Sequence, residues 1–403
     1  MRKVPAAELM NRLKKFTTLM DMTEESWRYI FIFNPITAYY FTGTMQDGVL
    51  FIMKGEEPEY FVRRSPDRAA EETRFSKITP FHDFDDIYNK LNLNNYFPIY
   101  IDKAYTPIGL FESFNRLFEF NKIYSCDKTL EICKSIKSKY ELDILRKAGS
   151  IHQNIMENIV PDIFHSEISE REAAQIIFNE FVNAGHEVRN RFTKAGNEFD
   201  TVSVAFGPSG LEMYGVDFAT GSKGLSPCSR SFGSPDVRIR TNDLISVKSV
   251  FTYEGYNSVS TYCYSYNNLV DYIRKMQNHC ANLSMITQEV LKPGTKPSDI
   301  YEYVLDRLHP EINGTFMGVG HDTLHYIGQG VGLTIDEYPV IKKNEEIPLQ
   351  ENMVLSLGFF TTIEGFGITG LENTFLVTTK GGVSLNGDAS EVRVAGKFIQ
   401  KTD

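Results

Sequence analysis

The sequence is poor in several things. Its 403 residues contain one Trp and five Cys, and no apolar run approaches the roughly 20 residues that a membrane helix needs. The opening Met-Arg-Lys-Val-Pro lacks the apolar segment of a signal peptide, so the cytoplasm is the expected location and a membrane is not an expected partner. Basic residues are also short. The 42 Lys and Arg stand against 52 Asp and Glu, a net charge of −10, whereas binding to a phosphate backbone rests on clustered cations. Nucleic acid is therefore not an expected partner either. Cys126, Cys133, Cys228, Cys263 and Cys280 are odd in number and show no close paired zinc spacing, which fits reduced thiols with no assigned chemistry.

What is present supports two α/β domains, since 42% of the chain is hydrophobic and domains usually run to about 100–200 residues. In the first part, Leu9, Leu13, Phe16 and Met20 recur at helical spacing, and Trp27–Phe33 is an aromatic and β-branched run of strand character. Residues Gly48–Met53 and Glu59–Val62 flank Lys54-Gly55-Glu56-Glu57-Pro58, where Gly and Pro predict a hairpin turn. Phe97–Ile101 reads as a further strand, and a polar stretch follows around Asn121–Lys139.

The second part opens on a capping box, Ser138-Lys139-Tyr140-Glu141, followed by an apolar stripe of Leu142, Leu145, Ala148, Ile151, Ile155 and Ile159. Ser169-Glu170-Arg171-Glu172 repeats that signal for a helix ending near Gly185. A long helix over Leu269–Leu291 stops at Lys292-Pro293-Gly294, and a shorter one runs from about Ser298 to His309. Strand-like pairs surround these helices: Leu244–Thr252 with Tyr256–Tyr264, and Met353–Thr362 with Gly370–Thr378. The expected boundary lies near residue 135, dividing the chain into 1–135 and 136–403.

Four stretches of the second part, in order, carry a resemblance. They are Ser135–Gly149, the hairpin Asp243–Tyr264, the segment His325-Tyr326-Ile327-Gly328-Gln329-Gly330-Val331-Gly332-Leu333, and Glu351–Val354 with Gly370–Thr374. Together they resemble the creatinase/aminopeptidase P/prolidase family. Tyr39–Gly43 and Tyr60–Arg64 are similar to the family's first domain. The resemblance implies an α/β (α+β) fold, with a small mixed-sheet N-terminal domain before a pita-bread domain whose curved antiparallel sheet is backed by helices.

The family holds a pair of divalent metals with two Asp, one His and two Glu. The matching positions here are Lys248, Val259, Gln329, Gly358 and Glu372, so only Glu372 keeps a ligand side chain. A two-residue turn at Tyr253-Glu254 is expected to set Thr252 opposite Gly255 and Lys248 opposite Val259, on one face of the hairpin. Without a metal, a buried Glu372 needs another cation, and Lys248 is the expected partner. Both could instead be ordinary strand-surface residues. No metal and no other cofactor is expected.

His325 matches a histidine kept near the reacting group, and imidazole titrates nearest neutrality. A core histidine bonded to a backbone carbonyl competes with that role. Lys248, Glu372 and His325 are thus the catalytic candidates, with Gln329, Tyr326, Asp336 and Thr261 as ligand contacts. Asp336 also reads as a loop or strand-end aspartate, and His321 and Asp322 read as loop residues. The glycines of Gly328–Gly332 lack a following Lys-Ser/Thr and a helix, so they predict close strand approach and not a phosphate loop.

With the resemblance, these residues predict a peptidase-family homologue that is not a metallopeptidase and serves as a regulatory protein or one that binds a small molecule or short peptide. The alternative is a metal-free hydrolase of an amide or C–N bond in the manner of creatinase, whose His-Tyr-Tyr-Gly resembles His325-Tyr326-Ile327-Gly328. Creatinase's acid/base histidine belongs in the region matching Pro227–Arg238, where this sequence has none. An active Xaa-Pro peptidase ranks last, because no carboxylate set is left to lower the pKa of a bridging water. The family is commonly dimeric, which makes a homodimer the expected assembly, with residues near Tyr40–Asp47 or Arg63–Arg64 reaching a neighbour's pocket.

Overall fold

The computed structural model describes residues 2–194, 196–214, 218–320 and 322–396, and His321 lies outside them. Contacts divide the chain into two compact units, 1–134 and 135–403.

The N-terminal unit is built on a six-stranded mixed sheet. Its strands are β1 (Tyr29–Ile32), β2 (Gly48–Met53), β3 (Glu59–Val62), β4 (Ile78–Pro80), β5 (Ile99–Ile101) and β6 (Ile123–Ser125), in the order β4-β3-β2-β1-β5-β6. The predicted hairpin is β2–β3, paired antiparallel with Leu50 opposite Tyr60. The predicted first helix is Ala6–Thr23, which buries Leu9, Phe16 and Met20. One face of the sheet is packed with rings: Phe31 lies 4.8 Å from both Phe51 and Phe114, and Phe114 lies 4.6 Å from Phe118. Offset and edge contacts at these separations add to simple area burial. The polar stretch near residue 121 holds β6 and a helix, Asp127–Ser135, that its composition did not announce. Only Leu130 and Cys133 give that helix a buried apolar stripe, too short a pattern for periodicity to register.

The second unit is a nine-stranded sheet flanked by helices. Its strands are β7 (Val202–Phe206), β8 (Leu244–Tyr253), β9 (Tyr256–Tyr266), a separate short ribbon of β10 (Gly318–Val319) and β11 (Asp322–Thr323), then β12 (Tyr326–Gly330), β13 (Glu337–Lys342), β14 (Val354–Ile363), β15 (Gly367–Thr378), β16 (Gly381–Ser384) and β17 (Arg393–Ala395). The main order is β13-β12-β14-β15-β9-β8-β7, with β16 on β15 and β17 on β9. Both predicted capping boxes form. Ser138 Oγ accepts from Glu141 N at the start of helix Lys139–Asn158, and Ser169 Oγ accepts from Glu172 N at the start of helix Glu170–Asn183. Helices Asp271–Val290 and Pro297–Leu305 follow β9.

The β8–β9 hairpin corrects the expected register. Tyr253 pairs with Tyr256, so the turn residues are Glu254 and Gly255, and Lys248 faces Thr261 while Val250 faces Val259. The reason lies in the turn. Glu254 and Gly255 both have positive φ, 45° and 82°, the combination a type I′ turn requires and glycine supplies at no steric cost. Because side chains alternate along each strand, Lys248 and Val259 still share one face, diagonally and not opposite. The glycines of β12 permit the close approach expected of them: a Cβ on Gly328 would lie 2.3 Å from Ser356 O, and one on Gly330 would lie 2.3 Å from Tyr338 O.

Candidate functional site

Two adjacent rows of side chains cross the middle of the large sheet. In one row, Lys248, Thr261, Glu372 and Gly358 are successive register partners across β8, β9, β15 and β14. In the next, Thr374 hydrogen-bonds the backbone of Val259, pairs with Ser356, and Ser356 pairs with Gln329. Partners in register present side chains to the same face, so all five positions singled out in the sequence converge on one surface.

At its centre is an ion pair. Lys248 Nζ lies 2.5 Å from Glu372 Oε2, with the two side chains 4% and 13% exposed. Thr261 donates to the same oxygen at 3.0 Å, and Ser356 donates to Oε1 at 2.8 Å. The ammonium also lies 4.1 Å from the centre of the Phe218 ring, a cation–π distance. A buried carboxylate is thus neutralised by one cation and hydrogen-bonded on both oxygens, the condition under which a buried charge is tolerated.

Around the pair lies a cavity of about 30 Å³, bordered by Phe218, Leu324, Tyr326, Gln329, Gly358 and Phe360 among others. That volume suits about one water molecule. Gln329 borders the cavity but spends its amide, because Nε2 donates to Ile335 O at 3.3 Å. Gly358 is occupied in its own way, since a Cβ there would lie 2.7 Å from Phe360 Cε2.

Two expected site residues lie elsewhere. Leu324 and Tyr326 border the cavity, but His325 between them is exposed and is not part of the cavity wall. The chain bends at His325, and its exposed side chain is neither beside the pair nor in the core. Asp336 anchors a loop instead: its carboxylate accepts from Thr193 N at 2.5 Å and Lys194 N at 3.2 Å. Both of its oxygens are committed to backbone. Asp322, expected in a loop, lies instead in the short strand β11 and is exposed.

Sequence reasoning also missed residues that matter to the site. Ser356 could have been found, because it stands two residues before Gly358 and so shares its face. Phe218 could not, since it arrives from irregular chain. A second buried pair, Lys137 Nζ to Glu337 Oε2 at 2.7 Å with 1% and 4% side-chain exposure, lies in the same unit. On the side of the hairpin toward helix Lys139–Asn158, His152 is enclosed by Ser249, Ser258 and Ser260 at 2.8, 3.0 and 3.0 Å. Burial pulls its pKa down to about 3, and His186 is likewise lowered to about 4.

The family model for metallopeptidase family M24 matches residues 143–379, more than half the chain, and that for the creatinase/prolidase N-terminal domain matches 12–136. The chain belongs to the metallopeptidase family M24. Among curated relatives, this M24 chain is 27% identical over 374 residues to the Xaa-Pro dipeptidase of Pyrococcus furiosus, covering 93% of this chain and 97% of that one. The solved prolidase of Pyrococcus horikoshii superposes with a TM-score of 0.77 at 21% identity, covering 94% and 98% of the two chains. The N-terminal domain of FACT complex subunit SPT16 from Cicer arietinum superposes with a TM-score of 0.71 at 13% identity, covering 97% and 99%. The fold of this M24 chain is therefore the expected one, a mixed α/β N-terminal domain followed by a pita-bread domain.

Proposed function

We propose that this M24 chain is a non-hydrolytic member of its family, a binding or regulatory protein in which a lysine–glutamate pair stands where the resemblance places a dinuclear metal centre. The observation that carries the reading is the Lys248–Glu372 contact at 2.5 Å. A divalent metal pair needs several hard oxygen donors and room for a bridging water. At the five matching positions there is one carboxylate, already paired with an ammonium and two hydroxyls, together with an amide, an isopropyl group and a glycine. That donor set does not fit two cations, and the ammonium brings like charge to their place.

The cavity argues the same way against turnover at this spot. Sites for small ligands run to about 300–1,000 Å³, an order of magnitude above what surrounds Lys248. A metal-free hydrolase meets that obstacle too, and it lacks a nearby acid/base group because His325 faces solvent. A ligand-sized space exists in the N-terminal unit, where a cleft of about 390 Å³ is walled by Phe33, Phe81, Phe84 and Pro107 and edged by the Asp47–Arg63 ion pair. A small-molecule or short-peptide ligand has room there. One relative of the same fold is named as a subunit of a complex and not as a peptidase.

The test is an Xaa-Pro dipeptide assay of the full chain with added manganese or cobalt, beside the Glu372→Gln variant. The expected result is no turnover in either. Turnover that Glu372→Gln abolishes, or metal uptake that it abolishes, would overturn the reading.

A further inference from the structure

A second place in the larger unit gathers two imidazoles and a carboxylate, side chains of the kind that hold a metal ion. His279, on helix Asp271–Val290, meets His309 and Glu311, which follow helix Pro297–Leu305, and their ligand atoms all lie within 4.8 Å of one another. We propose that these three residues form a binding site for one divalent transition-metal ion of the zinc class. The proposal stands apart from the reading of Lys248 and Glu372 and uses none of the same residues.

The distances suit that class. His279 Nε2 is 3.0 Å and His309 Nδ1 is 3.5 Å from Glu311 Oε2. Zinc takes imidazole nitrogen and carboxylate oxygen at about 2.0–2.2 Å, which sets tetrahedral donors about 3.3 Å apart, between the two values found. Two neutral imidazoles and one carboxylate leave the fourth position to water. Harder cations such as magnesium or calcium prefer all-oxygen ligation and are disfavoured.

The backbone that carries two of the ligands is already in place. Ile312 N donates to His309 O at 3.0 Å, closing a turn with Pro310 at its second position, where proline's fixed φ is already correct. Ile312 is fully buried and anchors that turn. Two donors, His309 and Glu311, are thus held on either side of Pro310, while the helix supplies the third. The rings of His279 and His309 stack at 3.8 Å with 13° between planes, so metal binding requires them to rotate until their lone pairs converge. His309 is 45% exposed, and imidazole χ2 torsions are broad, which makes that rotation inexpensive. The backbone N–H of Glu311 donates to His309 Nδ1 at 3.3 Å, a long bond that the metal would displace. Lys275 Nζ, 2.6 Å from Glu311 Oε1, engages the other carboxylate oxygen and leaves Oε2 for the metal.

The experiment is calorimetric titration of chelator-stripped full-length protein with zinc, paired with the visible spectrum of the cobalt-loaded form. Wild type is expected to take up one equivalent and to show tetrahedral cobalt absorption. His279→Ala and His309→Ala are each expected to weaken uptake by on the order of tenfold or more. All three side chains are at or near the surface, so the variants are expected to fold, checked by their melting temperatures. Failure of wild type to bind zinc, or equal binding by the His279→Ala/His309→Ala double variant, would overturn the proposal.

Discussion

Two lysine–glutamate contacts of nearly the same length stand in very different parts of the larger unit. Lys248 to Glu372 spans 2.5 Å with side chains 4% and 13% exposed, and Lys275 to Glu311 spans 2.6 Å with side chains 55% and 37% exposed. Distance alone would rank them equal. Water decides otherwise, because the surface pair is screened and pays to hold two long side chains in place, whereas neither partner of the buried pair has anywhere else to put its charge. The two regions also divide the requirements for a metal site between them. On the readings proposed above, the sheet keeps a convergent geometry with donors unsuited to a metal, and the surface cluster has the donors on a simpler frame.

The largest effect separating these regions is expected from Lys248→Ala. Leaving Glu372 buried without its cation should cost about 3–5 kcal/mol of stability, read as a fall in the denaturant midpoint at constant slope. Replacing both partners, as Lys248→Met with Glu372→Leu, is expected to be close to neutral, since the cost lies in the stranded charge. A Lys248→Ala protein as stable as wild type would mean that the pair is hydrated, and the contrast with Lys275 would vanish.

Burial also sets the response to acid. His152 and His186 have pKa values lowered to about 3 and 4 because burial disfavours the imidazolium, while in the unfolded chain they titrate near 6.5. The unfolded state therefore binds more protons between these values, and the stability these groups contribute falls as pH drops from about 6.5 toward 4 and 3. Glu170 works in the opposite sense. Its buried carboxyl is raised to about 7, so in the folded state it holds a proton that the unfolded chain releases near 4.5, and its contribution falls as pH rises through that window. Asp102 in the N-terminal unit, raised to about 6, acts in the same direction. Removing one opposing term with Glu170→Gln is expected to steepen the loss of melting temperature between pH 6.5 and 4.5. An unchanged slope would show that Glu170 ionises normally.

What could be read from the sequence follows from which signals are local. Helix starts at Ser138 and Ser169 were legible because a capping box is a four-residue pattern, and the β2–β3 and β8–β9 hairpins because apolar and β-branched runs flank turn residues. The Lys248–Glu372 contact was legible through the family resemblance, which aligns residues 124 apart that no local pattern connects. The turn residues of β8–β9 were misplaced by one, because both Tyr253-Glu254 and Glu254-Gly255 can serve as a two-residue turn until the demand for positive φ is applied. Of the two readings of Asp336, the loop aspartate is the one the structure shows, whereas the placement of His325 was not legible, because it depends on how the chain bends just before β12.

A smaller effect tests how tightly the sheet site is closed. Gly358 has no positive φ to excuse it, so Gly358→Ala is resisted only by the Phe360 ring edge 2.7 Å from the new methyl. Overpacking of this kind is expected to cost about 1–3 kcal/mol, checked by equilibrium unfolding. A neutral substitution would mean that Phe360 swings aside easily and that the space beside Glu372 can open to a ligand.

The smallest effect is expected at the surface pair, where it sharpens the comparison with Lys248. Lys275→Met should leave stability nearly unchanged, because the exposed Glu311 carboxylate is hydrated by water once its partner is removed. It should nonetheless tighten zinc binding, since Lys275 and the metal compete for the charge of one carboxylate. The gain can be no greater than the strength of the contact removed, which for an exposed pair limits it to about fivefold. Calorimetry on Lys275→Met beside wild type measures it directly. Weaker zinc binding in the variant would show that Lys275 orients Glu311 for the metal instead of competing with it.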